Sequence, residues 1–209
     1  MSRASRFKGL CYTQGMPNSH QQLFEDLYAD IDGYQISKDA LKKSSYSYWG
    51  YVYGEIVYEG FSKLLRRANP TPGEVFYDFG SGVGGAVILA SILYDFSALY
   101  GIEILEDLHK TAQKVLTRYT PRLNQKIEFI KGDYRTYDFS NADLIFINAT
   151  MMEYEFTNPF YEKLETLKPG TRILTTTHSL DIRYYEVERI GIMPFSWGHE
   201  ICYLHTKIM

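Results

Sequence analysis

The apolar positions of this chain change their period near residue 74. Upstream, Leu23, Phe24, Leu27, Tyr28 and Ile31 recur at helical spacing behind Ser19-His20-Gln21-Gln22. That tetrad has the form of a capping box, Ser at the N-cap and Gln three residues on. Gly33 is the expected stop. The stretch from Ser44 to Gly54, rich in Tyr and Ser and holding Trp49, reads as an irregular loop. Val57, Phe61, Leu64, Leu65 and Ala68 then mark one face of an amphipathic helix, which Asn69-Pro70 ends.

From Glu74 onward short apolar runs alternate with helical patterns. Strands are predicted at Val75 to Phe79, Ala98 to Ile102, Ile127 to Ile130, Leu144 to Ile147 and Arg172 to Thr177. Helices are predicted at Gly84 to Tyr94, Leu105 to Tyr119 and Phe156 to Leu167, the last broken by Lys168-Pro169-Gly170. Two more strands, Tyr185 to Ile192 and Ile201 to Ile208, have no helix between them and only Met193 to Gly198 as a connection. They predict an antiparallel hairpin. Strand–helix alternation with buried strands implies a parallel sheet covered on both faces. The expected organisation is a helical and loop extension over residues 1–50 and an α/β domain over residues 51–209. No internal repeat or low-complexity tract interrupts it.

Composition narrows this only slightly. A chain of 209 residues with 45% apolar content fits one packed domain with an extension. The net charge of −3 gives no general pull toward nucleic acid. Cys11 and Cys202 lack metal-ligand spacing and read as reduced thiols, with one long-range disulfide as the alternative. His199 and His205 have no partner at metal spacing, so no metal and no catalytic histidine is expected. The first residues lack an apolar leader and no run is long enough to span a bilayer, which points to a cytoplasmic protein without membrane contact.

The chemistry concentrates at predicted strand ends. Tyr77-Asp78-Phe79-Gly80-Ser81-Gly82-Val83-Gly84 follows the first strand, where glycine permits a sharp turn and close approach to a ligand. Glu103 ends the second strand, followed by Ile104, about twenty residues past the glycines, where an acid accepts both hydroxyls of a ribose. Asp133 and Tyr134 follow the third, an acid for an adenine amino group and a ring to pack on it. Each acid has an alternative role as the cap of the next helix. A dinucleotide fold would place a third glycine at Val87, and carboxylates at these tips suit a cationic cofactor better than a pyrophosphate.

The predicted layout is that of the seven-strand, Rossmann-like methyltransferases that use S-adenosyl-L-methionine (SAM). Within them the chain resembles the DOT1-like lysine methyltransferases over about Tyr51 to Lys207. Tyr53-Gly54-Glu55 looks like that family's cofactor-covering loop, and Gly80 to Gly84 matches its glycine loop. Tyr100 to Glu103 and Gly132-Asp133-Tyr134 are similar to its second- and third-strand motifs. Leu144 to Asn148 resembles its fourth strand, and Ser196-Trp197-Gly198 with Tyr203-Leu204-His205-Thr206 its terminal hairpin.

The resemblance implies SAM as cofactor, held by Glu55, Asp78, Gly80, Ser81, Gly82, Gly84, Glu103, Ile104, Asp133, Tyr134 and Asn148. It implies a protein lysine as acceptor, with Asn148 and Tyr53 at the point of transfer. Trp197 and Tyr203 are candidates for the acceptor channel or for plain hairpin packing. Several positions depart from the family pattern: Gly85 for Gln, Ile56 for Thr, Ala149 and Thr150 for Asn and Phe, Met152 for Phe, and Cys202 for Tyr. The family's long basic segment is absent, so a histone is one acceptor among several. A small-molecule or RNA methyltransferase and a non-catalytic binding domain are the rival functions.

Overall fold

The computed structural model describes residues 19–44, 53–121, 124–148 and 159–209. Cys11, Trp49, Ala149, Thr150, Met152 and the first residues of the helix expected from Phe156 lie outside them. Among the described residues the elements are α1 (Ser19–Tyr28), α2 (Gly33–Lys43), α3 (Tyr58–Ala68), β1 (Val75–Phe79), α4 (Gly85–Leu93), β2 (Ala98–Glu103), α5 (Glu106–Arg118), β3 (Lys126–Lys131), β4 (Leu144–Ile147), α6 (Pro159–Glu165), β5 (Arg172–Thr176), β6 (Tyr185–Phe195) and β7 (Gly198–Lys207).

The strands form one seven-stranded sheet in the order β3-β2-β1-β4-β5-β7-β6. The first five are mutually parallel, β7 runs antiparallel to β5, and β6 pairs antiparallel with β7. The hairpin is longer than its sequence pattern suggested. β6 continues to Phe195, a bulge near Gly191 shifts its register, and only Ser196 and Trp197 remain as the turn.

Strand alternation distributes the core over two faces. On one, Phe76, Phe146, Leu174, Cys202 and Leu204 meet α1, α3, α4 and α5. On the other, Tyr77, Phe79, Ile145, Ile147 and Ile173 meet Phe139, Phe160 and Leu164. α4 is apolar around its whole circumference because it is enclosed, not amphipathic. α3 buries Phe61, Leu64 and Leu65 completely, each contributing roughly 1.5–3 kcal/mol. It ends at Asn69, where the Asn-Pro signal placed its stop, in a left-handed cap with φ of 49°.

The N-terminal region differs from its sequence reading at both ends of the expected helix. α1 takes in Ser19 as a helical residue and stops at Tyr28; Gly33 is not its stop but the first residue of α2. Asp32 caps α2 by accepting from the Gln35 N–H at 2.9 Å, so a helix start lay where a helix end was expected. Glycine stands at position 33 because a Cβ there would come within 2.1 Å of the Glu55 carboxylate.

Candidate functional site

The turn from β1 to α4 is built on backbone that only glycine adopts easily. Gly80, Gly82 and Gly84 have φ of 81°, 54° and 88°. Space demands glycine as well at two of them. A Cβ on Gly82 would lie 2.8 Å from Tyr53 Cε2, and one on Gly84 would lie 2.5 Å from Phe129 Cζ. The Gly80 and Ser81 N–H groups donate to the Ile102 carbonyl at 2.9 and 3.0 Å, which locks the loop to the end of β2.

Glu103 completes that lock. Its carboxylate accepts from the Gly82 N–H at 2.8 Å and from the Leu105 N–H at 2.7 Å. Burial raises its pKa while these donors pull it down. Asp78 is also buried, and burial first, then the neighbouring Glu103, push its pKa up to about 8. No ion pair among the described residues neutralises Asp78 or Glu55. Glu55 itself has its pKa raised, first by burial.

The segment carrying Tyr53 and Glu55 is clipped over this loop. The Tyr53 hydroxyl donates to Glu55 Oε1 at 2.8 Å. The Glu55 N–H donates to Ser196 Oγ at 2.9 Å, and the Ser196 N–H donates back to the Glu55 carbonyl at 3.1 Å. Gly54 lies under Trp197, whose ring would be 2.3 Å from a Cβ. Asn148, just beyond β4, shares the face of Phe146 by strand parity.

These groups surround one cleft of about 670 Å³, including its open mouth. Of the residues singled out from the sequence, Tyr53, Glu55, Asp78, Gly80, Ser81, Gly82, Asn148 and Trp197 line it. Gly84, Glu103 and Ile104 stand behind its wall: Gly84 against Phe129, Glu103 in the loop lock, Ile104 packed with Val83 and Leu108. Asp133 and Tyr134 are turned to other partners. Asp133 is held by the Arg135 guanidinium at 2.6 Å, and Tyr134 stacks on Phe79 at 5.1 Å with the rings 2° from parallel.

Tyr203 cannot take the place of Cys202. Neighbouring strand residues point to opposite faces, so Cys202 enters the α3–α4 core while Tyr203 lies on the side of His205. The Cys202 thiol is free and buried, which pushes its pKa up to about 12. His205 is structural. Its Nε2 accepts from the Leu180 N–H at 3.0 Å, which leaves the proton on Nδ1 toward the Ile173 carbonyl.

Sequence reasoning missed the contribution of α1 and the turn that follows it. Phe24, Tyr28 and Ile31 line the cleft, and Tyr28 feels both Asp78 and Glu55. Their spacing reads equally well as a core stripe, so only the packing of α1 beside α4 separates the two roles. Among the described residues no cluster has the composition of a metal site, and no helix is long and apolar enough to cross a membrane.

A sheet of this order with a glycine loop at the head of β1 defines the class: the Rossmann-like fold of the SAM-dependent methyltransferases. Solved structures agree on the fold. Magnesium protoporphyrin IX methyltransferase from Synechocystis, with bound SAM, superposes with a TM-score of 0.55 at 13% identity, over 93% of this chain and 100% of that one. An RNA methyltransferase from Salinibacter ruber with S-adenosyl-L-homocysteine gives 0.54 at 24% identity, over 71% of this chain and 90% of that one. The family is narrower. The model of the histone methylation protein DOT1 matches residues 34–190, and the chain belongs to that family. Relatives named histone-lysine N-methyltransferase, H3 lysine-79 specific, include one from Eremothecium gossypii, 25% identical over 69% of this chain and 28% of its own length. Another, from Caenorhabditis elegans, is 31% identical over 62% of this chain and 15% of its own. The chain thus spans less than a third of the length of these curated relatives.

Proposed function

We propose that this chain is a SAM-dependent protein-lysine N-methyltransferase. The observation that carries the reading is the pair of uncompensated carboxylates, Asp78 and Glu55, set into one cleft with Asn148 and the aromatic Trp197. A buried carboxylate whose pKa has risen to about 8 favours a positive ligand group beside it. SAM meets that demand with a sulfonium and an amino group, and it supplies an electrophilic methyl group when bound. Family membership and the names of the relatives support the same assignment.

In this reading Gly80, Ser81 and Gly82 give the cofactor a wall without side chains, and Asp78 and Glu55 attract its amino end. Glu103 holds the loop that faces the cofactor, with Gly84 and Ile104 shaping the wall behind. Asp133 serves the adenine only by leaving Arg135 for it, and Tyr134 keeps its stack on Phe79. Tyr53 covers the methyl donor. Asn148 orients the acceptor amine, which must be neutral to attack; Trp197 and Phe146 keep water from it and so lower its pKa. Residues 1–50 add Phe24, Tyr28 and Ile31 to the cofactor wall, with α2 packed behind it, and residues 51–209 form the methyltransferase domain. A histone is the first acceptor to test. If it is the acceptor, the enzyme works at chromatin and not in the cytoplasm.

Calorimetry with SAM, followed by labelled-methyl transfer to core histones, nucleosomes, mixed peptides and RNA, tests the proposal. Saturable SAM binding and label on a lysine are expected. Label on RNA alone overturns the acceptor class, and absence of SAM binding overturns the whole reading.

A further inference from the structure

A hydrogen-bonded chain runs from Asn148 to the covering segment through two consecutive threonines. Thr176 ends β5 and is fully buried. Its hydroxyl donates to Asn148 Oδ1 at 2.7 Å. That contact sets which way the Asn148 amide faces, because its oxygen is committed toward β5. Thr177 has a φ of 64°, in the left-handed region that a β-branched residue rarely occupies. Its N–H donates to the Ile201 carbonyl at 2.7 Å, and its hydroxyl donates to Glu200 Oε2 at 3.0 Å. The other Glu200 oxygen accepts from Trp197 Nε1 at 3.0 Å. Trp197 stacks on Phe195 at 4.7 Å and covers Gly54.

We infer that Thr176 and Thr177 are a positioning pair for methyl transfer, an inference that rests on the function proposed above. Thr176 fixes the Asn148 amide. Thr177, held in its unfavourable conformation, fixes Glu200 and through it the Trp197 indole. A plain turn at this place would be met by glycine or asparagine without strain. Threonine adds a hydroxyl that bridges two strands at the cleft, and strain retained beside a site is consistent with that use. Neither threonine lines the cleft itself, so the pair acts through Asn148 and Trp197, which do.

Four variants and a fluorescence readout decide it. Thr177→Gly removes the hydroxyl and relieves the backbone, so its melting temperature should equal or exceed that of the wild type. Its kcat should nevertheless fall about tenfold, with SAM affinity held within about twofold. Thr176→Val should lower kcat by roughly tenfold to a hundredfold. Thr176→Ser and Thr177→Ser, which keep the hydroxyls, should recover most of the rate. In a Trp49→Phe background, acrylamide quenching of Trp197 should rise in Thr177→Gly, a measurement that needs no turnover. Wild-type kcat in both Thr176→Val and Thr177→Gly overturns the inference. So does unchanged quenching, or serine variants as impaired as the others. A wild-type protein that transfers no methyl group refutes the proposed function instead, and the quenching result still judges the link from Thr177 to Trp197.

Discussion

Two regions at the carboxyl edge of the same sheet carry similar chemistry and use it differently. At the ends of β1 and β2, Asp78 and Glu103 are buried side by side; Glu103 is satisfied by two backbone N–H groups, and Asp78 has its pKa raised to about 8. At the end of β3, Asp133 is half-buried, ion-paired with Arg135 and lowered in pKa, and Tyr134 stacks on a core phenylalanine. An acid at a strand end is therefore not one kind of residue. Where the chain supplies the countercharge, the acid is structurally complete. Where it does not, burial keeps the acid's proton on into the neutral range.

The largest expected effect tests that contrast through pH. The folded-state pKa of Asp78 lies above its unfolded value, so the folded protein binds the extra proton between about pH 4 and pH 8. Stability contributed by the protonated form is complete at low pH and is lost as pH rises through 8. The loss amounts to about 1.4 kcal/mol per pH unit. Urea denaturation of wild type and Asp78→Asn from pH 5 to 7.5 should show the wild type losing ground to the variant by about that slope. SAM binding should release protons in the same range, read as a calorimetric enthalpy that depends on the buffer. Parallel pH profiles for the two proteins would show that Asp78 ionises normally and would remove the contrast with Asp133.

Glu103→Ala comes next. It strips the acceptor from the Gly82 and Leu105 N–H groups and leaves both buried, at a cost of about 2–3 kcal/mol. Chemical denaturation should record that loss, and SAM affinity should fall with the loop. A variant within about 0.5 kcal/mol of wild type would mean the loop holds its shape without the carboxylate. Gly82→Ala is milder. The positive φ and the contact with the Tyr53 ring together cost about 1–2 kcal/mol, because the tyrosine is able to shift. Its sharper signature is displacement of Tyr53, visible as weaker SAM binding than the stability loss alone explains.

Most of the sheet was legible because buried parallel strands have a simple signal. β1 and β4 stand where Val75 to Phe79 and Leu144 to Ile147 placed them, since each is a short apolar run between breakers. α2 was not legible. Its polar face outweighs its apolar one, and Gly33 carries a stop signal that position alone turns into a start. The glycine loop was legible because three positive-φ residues leave a sequence trace. The roles of Phe24, Tyr28 and Ile31 were not, since a cleft wall and a core stripe share one periodicity. The fate of Asp133 turned on Arg135 two residues away, a local ion pair that strand-end reasoning does not weigh.

The smallest effect probes Asp133 itself. Its partner Arg135 is nearly half exposed, so the ion pair is screened and contributes little, within about 1 kcal/mol. Asp133→Asn should leave the denaturation midpoint almost unchanged. Its influence on SAM depends on whether the carboxylate leaves Arg135 for the adenine amino group when the cleft fills. If it does, affinity should fall by about threefold to tenfold, and Arg135→Ala should strengthen binding by freeing the acid. If Asp133 keeps its arginine, both substitutions should leave the SAM dissociation constant unaltered. The adenine would then lie against the β1–β2 wall alone, and the third strand end would belong wholly to the fold.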